Sequence, residues 1–443
     1  MPNTVALHTL GCKLNFSETS TIGKQFLSNG YNIVDFSDGA DIYVFNTCTV
    51  TENAERDCRQ LIRKALRKNP NAYIIVTGCY AQLRPEKIAE IRGVDAVLGS
   101  SEKFKLFSIL NNFNSSDPAC IHVGSLDAVN EFGEAHSTDA DNRTRAYFKI
   151  QDGCDYNCSF CTIPFARGVS RSMDPRRAMV EFQKLVEDGY KEIILTGVNV
   201  GDYGKKFDVD LYELLLKLIH VDGDFRIRIS SIEPNLLTDD IIELIAKEEK
   251  LCNHLHVPLQ SGNSDILKSM QRRYTVKDYE NTIWQAYEKI NNLCIGVDVI
   301  VGFPGETENH FIETHNFLQD LPISYLHVFT YSERPDTKAI NLPGRVQINE
   351  RKRRNKILRM LSDKKKRNFY ESMLGKKTTV LFENEIIDGK MKGFTSNYVR
   401  VVSDHDTSAI NKLEDFEINQ ITSDGLCSGR LMDTKYSIDL ISA

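Results

Sequence analysis

Three cysteines, Cys154, Cys158 and Cys161, lie within eight positions of a 443-residue chain that contains eleven cysteines in all. Structural zinc usually takes four Cys or His ligands, and no histidine lies within fifteen residues of this triplet on either side. An iron–sulfur cube held by three thiolates leaves one iron open, and an open iron can bind a substrate or cofactor directly. The C-x3-C-x2-C spacing therefore favours an iron–sulfur cluster, with zinc or unligated core cysteines as the alternatives.

A second set of three cysteines is spread through the first eighty residues. Each member closely follows an apolar run rich in β-forming residues: Cys12 follows 4–10, Cys48 follows 41–47 and Cys79 follows 72–78. Helical patterns at 52–68 and 84–92 come after two of these runs, and such alternation is typical of a parallel α/β sheet. Because the carboxyl ends of parallel strands share one edge, where open α/β folds bind ligands, we expect the three thiols to converge there.

The elements that must position the first triplet come after a polar linker, predicted at residues 126–143. From residue 144 to 345 the β/α alternation resumes with six strand candidates. They are "AYFKIQD", "KEIILTG", "FRIRISS", "CNHLHVP", "CIGVDVIVG" and "YLHVFTY". A closed (β/α)8 barrel needs eight strands, so six predict a partial (β/α)6 barrel, with the triplet following its first strand on the carboxyl-end face.

The carboxyl-terminal part has a different pattern. Residues 346–371 read as a basic linker helix, because 10 of the 17 residues from 351 to 367 are Lys or Arg. Such a helix either contacts phosphates or is a solvated surface. Residues 372–443 alternate like short strands between turns and predict a small β-barrel, although they hold eight Lys and Arg against eleven Asp and Glu.

Composition limits the setting. A formal charge of −6 excludes a surface that is basic all over, so any contact with nucleic acid must be local. No basic segment followed by an apolar stretch opens the chain, and no apolar run is long enough to span a bilayer. We therefore expect a cytoplasmic protein without membrane contact. In a reducing compartment its cysteines are expected to be metal ligands rather than disulfides.

These patterns coincide with those of a known family. The stretch "GCDYNCSFC" resembles the radical S-adenosylmethionine (SAM) motif, and the whole chain resembles the methylthiotransferases. The matching segments are "LGCKLNFSE", "NTCTVTENAERDCRQ", "VTGCYAQ", "RISSIEP", "HVPLQSGN", "MQRRYT" and "GFPGET". The order of parts also matches: an amino-terminal cluster domain (1–125), a radical SAM partial barrel and a carboxyl-terminal TRAM β-barrel. Lys13, Asn15, Glu18 and the segment 231–234 most resemble the branch that methylthiolates carbon 2 of N6-threonylcarbamoyladenosine beside the tRNA anticodon.

The resemblance implies two 4Fe–4S clusters and no side-chain acid or base. Cys154, Cys158 and Cys161 would hold the cluster that binds SAM, whose cleavage yields a 5′-deoxyadenosyl radical able to attack an inert C–H bond. An auxiliary cluster carrying the sulfur would be held by Cys12, Cys48 and Cys79. The implied partners are the tRNA anticodon stem-loop and a low-potential electron donor such as flavodoxin or ferredoxin. The source of the sulfur is left open.

Further SAM contacts are implied at the strand ends. Phe160 would lie along the adenine, and Gly197 and Asn199 would meet the methionine amino group. Phe160 and Asn199 could equally be packing or turn residues. The other implied SAM contacts are Ser231, Glu233, Gln260, Gly262, Gly302, Pro304 and Gly305. The residues expected to contact RNA are Arg353, Arg354, Lys365 and Lys366.

Two other functions stay open. A sister branch of the same family modifies an aspartate of a ribosomal protein, and the acidic carboxyl-terminal barrel would suit a basic partner. An iron–sulfur electron carrier would need two clusters but no SAM contacts. Reductive cleavage of SAM separates the carrier from the enzymes, because only an enzyme releases 5′-deoxyadenosine.

Overall fold

The computed structural model describes residues 3–48, 52–110, 113, 119–126, 132–133, 135 and 144–432. Most of the predicted linker at 126–143, and the last eleven residues of the predicted small barrel, therefore lie outside the described residues. The domain boundaries stay predictions. No helix in the described ranges combines the length and the apolar character needed to cross a membrane.

Six strands form a parallel amino-terminal sheet in the spatial order β2-β1-β3-β4-β5-β6. The strands are β1 (Thr4–Thr9), β2 (Asn32–Ile33), β3 (Ile42–Thr47), β4 (Tyr73–Gly78), β5 (Ala96–Leu98) and β6 (Cys120–His122). The helices are α1 (Lys13–Ser28), α2 (Glu52–Lys68), α3 (Cys79–Leu83), α4 (Pro85–Ala89) and α5 (Leu106–Ile109). The three predicted strands are confirmed as β1, β3 and β4. The helix predicted at 84–92 is shorter: it ends at Ala89, and the chain then turns at Gly93 (φ +86°) to enter β5.

The six predicted barrel strands are also confirmed, in two parallel sheets that isolated bridges join between Ile227 and Leu251 and between Ser231 and His256. The strands are β7 (Arg145–Lys149), β10 (Glu192–Thr196), β11 (Arg226–Ile229), β12 (His254–His256), β13 (Cys294–Val301) and β14 (Tyr325–Thr330); β8 (Gln151–Asp152) and β9 (Arg171–Ser172) form a short antiparallel pair. The helices are α6 (Ile163–Arg167), α7 (Pro175–Glu187), α8 (Leu211–Ile219), α9 (Asp239–Lys247), α10 (Ser264–Ser269), α11 (Val276–Lys289), α12 (Glu308–Asp320) and α13 (Ile348–Glu371). The result is an open, partial barrel of six strands, here named the half-barrel, whose outer face is covered by helices.

The basic helix α13 packs on the last strand of this half-barrel. Leu358 and Leu361 enter the core of the barrel, and Asn355 donates from Nδ2 to the carbonyl of Val328 on β14 at 3.0 Å. Arg351 is buried as well, in hydrogen bonds with Glu333 and the carbonyls of neighbouring residues. The helix is thus part of the barrel's packing and not only a connection to the next unit.

The carboxyl-terminal part is a closed five-stranded barrel in the order β15-β16-β17-β19-β18, as expected for a TRAM-type module. Its strands are β15 (Lys377–Ile387), β16 (Lys390–Thr395), β17 (Arg400–Asp404), β18 (Leu413–Ile421) and β19 (Cys427–Leu431). It docks against the amino-terminal ends of the half-barrel strands: Arg226 donates to the carbonyl of Phe394 (2.9 Å) and Arg228 to that of Ser396 (2.8 Å). The triplet Cys154, Cys158 and Cys161 follows the carboxyl end of β7, on the opposite side of the half-barrel.

Candidate active site

Each sulfur of the first cysteine triplet faces an N–H donor that can stabilise a thiolate. Each sulfur accepts one N–H: Cys154 Sγ from the backbone of Tyr156 (3.4 Å), Cys161 Sγ from the backbone of Ile163 (3.5 Å) and Cys158 Sγ from Arg272 Nη1 (3.0 Å). Donors aimed at sulfur stabilise thiolate ligands and tune the metal they hold. Within this loop the sequence therefore fits a cluster ligand set.

Without a metal these thiols prefer to be protonated. Burial raises the pKa of Cys154 to about 11 and that of Cys161 to about 12, and it raises the pKa of Cys158 in spite of the nearby Arg272. Only a metal would hold all three as thiolates at neutral pH, with release of their protons.

Gln151 joins the triplet loop to the loop after β10. Its side-chain nitrogen donates to the carbonyl of Gly153 (2.8 Å), and its oxygen accepts from the backbone N–H of Asn199 (2.9 Å). A Cβ at Gly197 would lie 2.8 Å from that same oxygen, so a larger residue there would displace the Gln151 side chain. Asn199 is buried and its Oδ1 accepts from the N–H of Glu233, but its Nδ2 has no hydrogen-bond partner among the described residues. A buried donor in this state suits an acceptor on a ligand.

Arg272 is a site residue that sequence reasoning missed. One of its guanidinium nitrogens contacts Cys158, another bonds to the carboxylate of Glu233, and Nε donates to Tyr274 Oη at 3.1 Å. Tyr274 in turn donates to the carbonyls of Pro258 and Leu259, directly before Gln260. Arg272 therefore joins Glu233 to the triplet, and the role of Glu233 as a SAM contact stays a prediction. The sequence feature that could have indicated Arg272 is the basic pair in "MQRRYT", but no neighbouring residue in the sequence connects this pair with a cysteine.

The remaining predicted SAM contacts have visible structural duties. Ser231 accepts through its carbonyl from the N–H of Val200, and Phe160 packs edge-on against Phe303 at 6.4 Å. Gln260 has left-handed backbone (φ +70°), held by hydrogen bonds with Asp298 and Ile300 of β13; such strain often marks a functional loop.

The glycines of the later loops serve close packing. A Cβ at Gly262 would come 2.9 Å from the Cα of Thr314 on α12, and one at Gly302 would collide with the buried Arg351. Pro304 is buried, and Gly305 donates to the carbonyl of Gly344 at 2.8 Å. Gly302 and Gly305 thus shape a turn beside Phe303 and α13, and the ring of Phe303 contacts that of Phe160 in the triplet loop.

The structure brings the loops of the three amino-terminal cysteines together, and two glycines make this possible. Gly11 (φ +115°) precedes Cys12, and a Cβ there would lie 2.8 Å from Cys48 Cβ. Gly78 (φ +96°) precedes Cys79, and a Cβ there would lie 2.4 Å from the carbonyl oxygen of Thr47. Both positions need glycine for conformation and for space.

Asn15 and Arg167 tie these loops to the half-barrel. Asn15 donates from Nδ2 to the carbonyls of Leu10 (2.8 Å) and Thr47 (3.1 Å), and its Oδ1 accepts from Arg167 Nη2 at 2.7 Å. Arg167 also bonds to Glu18, and α6, which ends at Arg167, packs against α3, which begins at Cys79. Glu18 is fully buried, yet Arg167, Lys103 and Lys149 overcome the effect of burial and hold its pKa well below the usual range.

A second polar group inside the half-barrel was also missed. Asp298 Oδ1 accepts from His256 Nε2 (2.8 Å) and His327 Nδ1 (3.1 Å), which lie on the strands to either side. The sequence signal that could have revealed this group is a His or Asp residue within each of three neighbouring strands, β12, β13 and β14. Lys13, the first residue of α1, points into the same interior: burial, with the nearby Arg228, lowers its pKa to about 8, and Asp298 acts in the opposite sense.

The four residues expected to contact RNA differ in position. Arg354 is only 4% exposed and bonds to Glu306 (2.6 Å), so it is a structural ion-pair residue, and its assignment as a phosphate contact is corrected. Arg353 is bound by Glu308 and Glu350, and Lys365 donates to the carbonyls of Gln319 and Leu321. Among the exposed cations of α13, four lie along one side of the helix: Lys352, Lys356, Arg359 and Lys366. Positions 0, 4, 7 and 14 share one helix face, so these four form a basic stripe.

Comparison with known proteins shows which families the chain matches. The radical SAM superfamily model matches residues 148–318, and the model of the uncharacterized family UPF0004 matches residues 4–99. The chain is similar to the threonylcarbamoyladenosine tRNA methylthiotransferase MtaB of Bacillus subtilis (40% identity; 93% of this chain, 92% of the relative) and of Aquifex aeolicus (39%; 90% and 96%). It is also similar to a tRNA-2-methylthio-N(6)-dimethylallyladenosine synthase of Clostridium botulinum (34%; 89% and 90%).

Among solved structures, the radical SAM methyltransferase TsrM of Kitasatospora setae shares the fold, with a TM-score of 0.57 at 15% identity over 77% of each chain. Such low identity supports the architecture alone. The amino-terminal sheet, the half-barrel with its cysteine triplet and the full-length relatives agree: the chain belongs to the family of radical SAM tRNA methylthiotransferases.

Proposed function

We propose that the protein adds a methylthio group to carbon 2 of N6-threonylcarbamoyladenosine beside the tRNA anticodon, in the cytoplasm, with one 4Fe–4S cluster on each cysteine triplet. The observation that carries the proposal is the link between the triplets. Helix α6 begins two residues after Cys161 and ends at Arg167, which bonds to Asn15 between the loops of Cys12 and Cys48. Both triplets thus lie at carboxyl edges of parallel strands and are joined by one short rigid element.

The residues around the first triplet fit SAM. The unsatisfied Nδ2 of Asn199 is a donor, and its Oδ1 is already used by Glu233, so Asn199 suits the methionine carboxylate better than the amino group. Glu233, held by Arg272, is left with acceptor capacity for ribose hydroxyls or an amino group. When bound, the clusters and SAM supply the electron, the adenosyl group and the sulfur for a reaction at a C–H bond that no side chain could activate.

Lys13 supports the threonylcarbamoyl form of the base. That modification carries a carboxylate, which the dimethylallyl group of the related branch lacks. Lys13 lies three residues before Phe16, whose ring stacks on Tyr147 of β7 at 6.4 Å, so this face of α1 looks into the half-barrel. We expect Lys13→Met to impair modification of threonylcarbamoyladenosine tRNA while release of 5′-deoxyadenosine without tRNA persists. Equal rates on that tRNA would argue against this role.

The basic stripe of α13 supplies the local positive charge that the tRNA needs. It lies beside the acidic carboxyl-terminal barrel and has its four cations in solvent, where they could reach phosphates without breaking ion pairs that the structure describes. A low-potential flavodoxin or ferredoxin as electron donor stays a prediction.

The test separates the two triplets by what each variant can still do. Three proteins would be reconstituted anaerobically: the wild type, Cys12/Cys48/Cys79→Ala and Cys154/Cys158/Cys161→Ala. Each would be given dithionite, SAM and tRNA whose threonylcarbamoyladenosine still carries hydrogen at carbon 2. Mass spectrometry would measure 5′-deoxyadenosine and the methylthiolated nucleoside.

The amino-terminal variant should release 5′-deoxyadenosine but form no methylthiolated nucleoside, and the barrel variant should do neither. Cys120→Ala and Cys427→Ala serve as controls for the loss of a thiol elsewhere and should behave as wild type. Methylthiolation at the wild-type rate by the amino-terminal variant would refute the two-cluster proposal.

A further inference from the structure

A cluster of charged side chains is buried where the amino-terminal sheet meets the half-barrel. Its members are Glu18, Lys103, Lys149, Asp152, Arg167 and Arg171, none more than 8% exposed. Glu18 pairs with Arg167 (2.9 Å), Lys103 (2.6 Å) and Lys149 (3.3 Å). Asp152 pairs with Arg167 (3.0 Å) and Lys149 (2.7 Å), and more distantly with Arg171 (3.6 Å).

The charges of this cluster do not balance. Four cations face two carboxylates, a formal excess of two positive charges among the described residues. The rings of Phe104 and Phe132 lie near the Lys149 ammonium, and Phe104 near that of Lys103, which eases their desolvation but adds no counter-charge. An uncompensated buried charge is costly, so the fold favours an anion next to this cluster.

The amino-terminal cysteines lie beside this cluster and can provide that anion. Arg167 reaches their loops through Asn15, whose Oδ1 also lies 3.8 Å from Cys12 Sγ. Its helix α6 packs on α3, which begins at Cys79, and the hydroxyl of Ser100 fixes that contact by donating to the carbonyl of Ala166 at 2.8 Å. A thiolate-bound cluster here would meet the excess positive charge.

We propose that Arg167 is a positioning residue for the amino-terminal cluster site and that Arg167, Lys103 and Lys149 give this site a positive field that selects an anionic sulfur ligand, such as hydrosulfide, over a neutral one. The inference rests on the proposed function, since it requires a cluster on Cys12, Cys48 and Cys79. Two separable effects follow. The fork of Arg167 holds the loops in place, which lysine could not do, whereas its charge stabilises the reduced, more negative state of the site.

The experiment uses full-length protein with Cys154, Cys158 and Cys161 replaced by Ala, so that only the amino-terminal site can hold iron. Arg167→Gln, Arg167→Lys and the exposed control Arg176→Gln are compared in this parent. Iron content, the midpoint potential from an EPR-monitored titration, and the affinity for added hydrosulfide and for imidazole, a neutral ligand, are measured.

Arg167→Gln should lower the potential and weaken hydrosulfide binding by about tenfold or more, while imidazole binding changes little, because a buried charged partner has been lost. Arg167→Lys should keep the potential closer to the parent but bind less iron. Arg176→Gln should match the parent. Parental iron content, potential and hydrosulfide affinity in Arg167→Gln would overturn the inference.

If Arg167→Gln fails to fold by circular dichroism, Lys103→Met decides, since it removes charge without touching the cysteine loops. It should lower the potential too, and an unchanged potential would overturn the inference. A parent without iron would overturn both this inference and the proposed function. An iron-loaded parent whose potential and hydrosulfide affinity are unchanged in every variant would overturn the inference alone.

Discussion

Replacing Glu192 by Gln should destabilise the protein strongly, because this carboxylate neutralises the arginines between the half-barrel and the carboxyl-terminal barrel. Glu192 is fully buried and pairs with Arg226 (2.6 Å) and Arg228 (2.8 Å), with Arg145 at 3.9 Å. These arginines overcome the effect of burial and hold the pKa of Glu192 far below its usual range. The carboxylate is therefore ionised throughout the range in which the protein would be studied.

The magnitude follows from what the substitution leaves behind. Gln still accepts hydrogen bonds, but Arg226 and Arg228 lose their shared counter-charge while both remain buried. Breaking a buried pair in this way costs about 3–5 kcal/mol. By comparison, Glu371 on α13 forms an exposed pair with Arg367, and Glu371→Gln should cost less than about 0.5 kcal/mol.

Urea unfolding of the metal-free protein, followed by circular dichroism, measures the difference between the two variants. The double variant Glu192→Gln/Arg228→Met should recover part of the loss, because one unpaired cation is removed and coupled residues are not additive. If Glu192→Gln unfolds at the same urea concentration as Glu371→Gln, the pairing does not stabilise the junction and the reasoning is wrong.

Four further predictions follow from the site and from α13. Reconstituted wild-type protein should hold about eight irons and eight sulfides per chain, and about four of each after loss of either triplet; stoichiometric zinc would contradict this. Arg272→Met should weaken SAM binding by about tenfold or more, since Glu233 is left buried without its partner, whereas the exposed Arg273→Met should bind SAM normally in equilibrium dialysis. Lys356→Gln/Arg359→Gln should reduce the slope of log tRNA affinity against log salt concentration by about one per lost phosphate contact, whereas Lys247→Gln/Lys277→Gln on the outer barrel helices should leave it unchanged. Equal slopes for the two variants would show that the stripe is a solvated surface without phosphate contacts. Hydrogen bonds from Arg351 lower the pKa of Glu333 from 4.5 to about 2, so this pair should contribute its full stabilisation above pH 4.5 and lose it as the pH falls towards 2. Because Glu333 is a third exposed, the free energy of unfolding measured in urea should change by about 1 kcal/mol or less over this pH range. In Glu333→Gln this pH dependence should be absent.

The strands and the convergence of the cysteines were predictable because their signals are local. Runs such as "YIIVTG" and "IGVDVIV" are continuous enough to identify buried parallel strands, and parallel strands fix where the following residues lie. In α13 the buried face was also encoded, since Arg351, Arg354, Leu358 and Leu361 recur at helical spacing. The prediction of phosphate contacts used the charge of the helix without this buried face, and it therefore included Arg354, which lies on that face.

The partners of the site could not be predicted, because they join residues distant in the chain. Arg167 bonds to Asn15 across 152 positions and Arg272 to Cys158 across 114. A sequence shows that an arginine is present, but the choice between a phosphate, a carboxylate and a thiol depends on tertiary packing. Residues that look free to bind RNA, such as Arg354, can therefore be committed to the fold.

An incomplete barrel has two exposed strand margins, and in this protein neighbouring elements cover both. Helix α1 lies along β7 on one side; on the other, Ser362 of α13 accepts from the backbone N–H of Leu326 and donates to its carbonyl. Uncovered, such margins would offer open backbone groups to another chain and promote aggregation. The flanking parts thus shield the two edge strands of the central barrel, and we expect that barrel, produced without them, to aggregate rather than to act as a minimal catalyst.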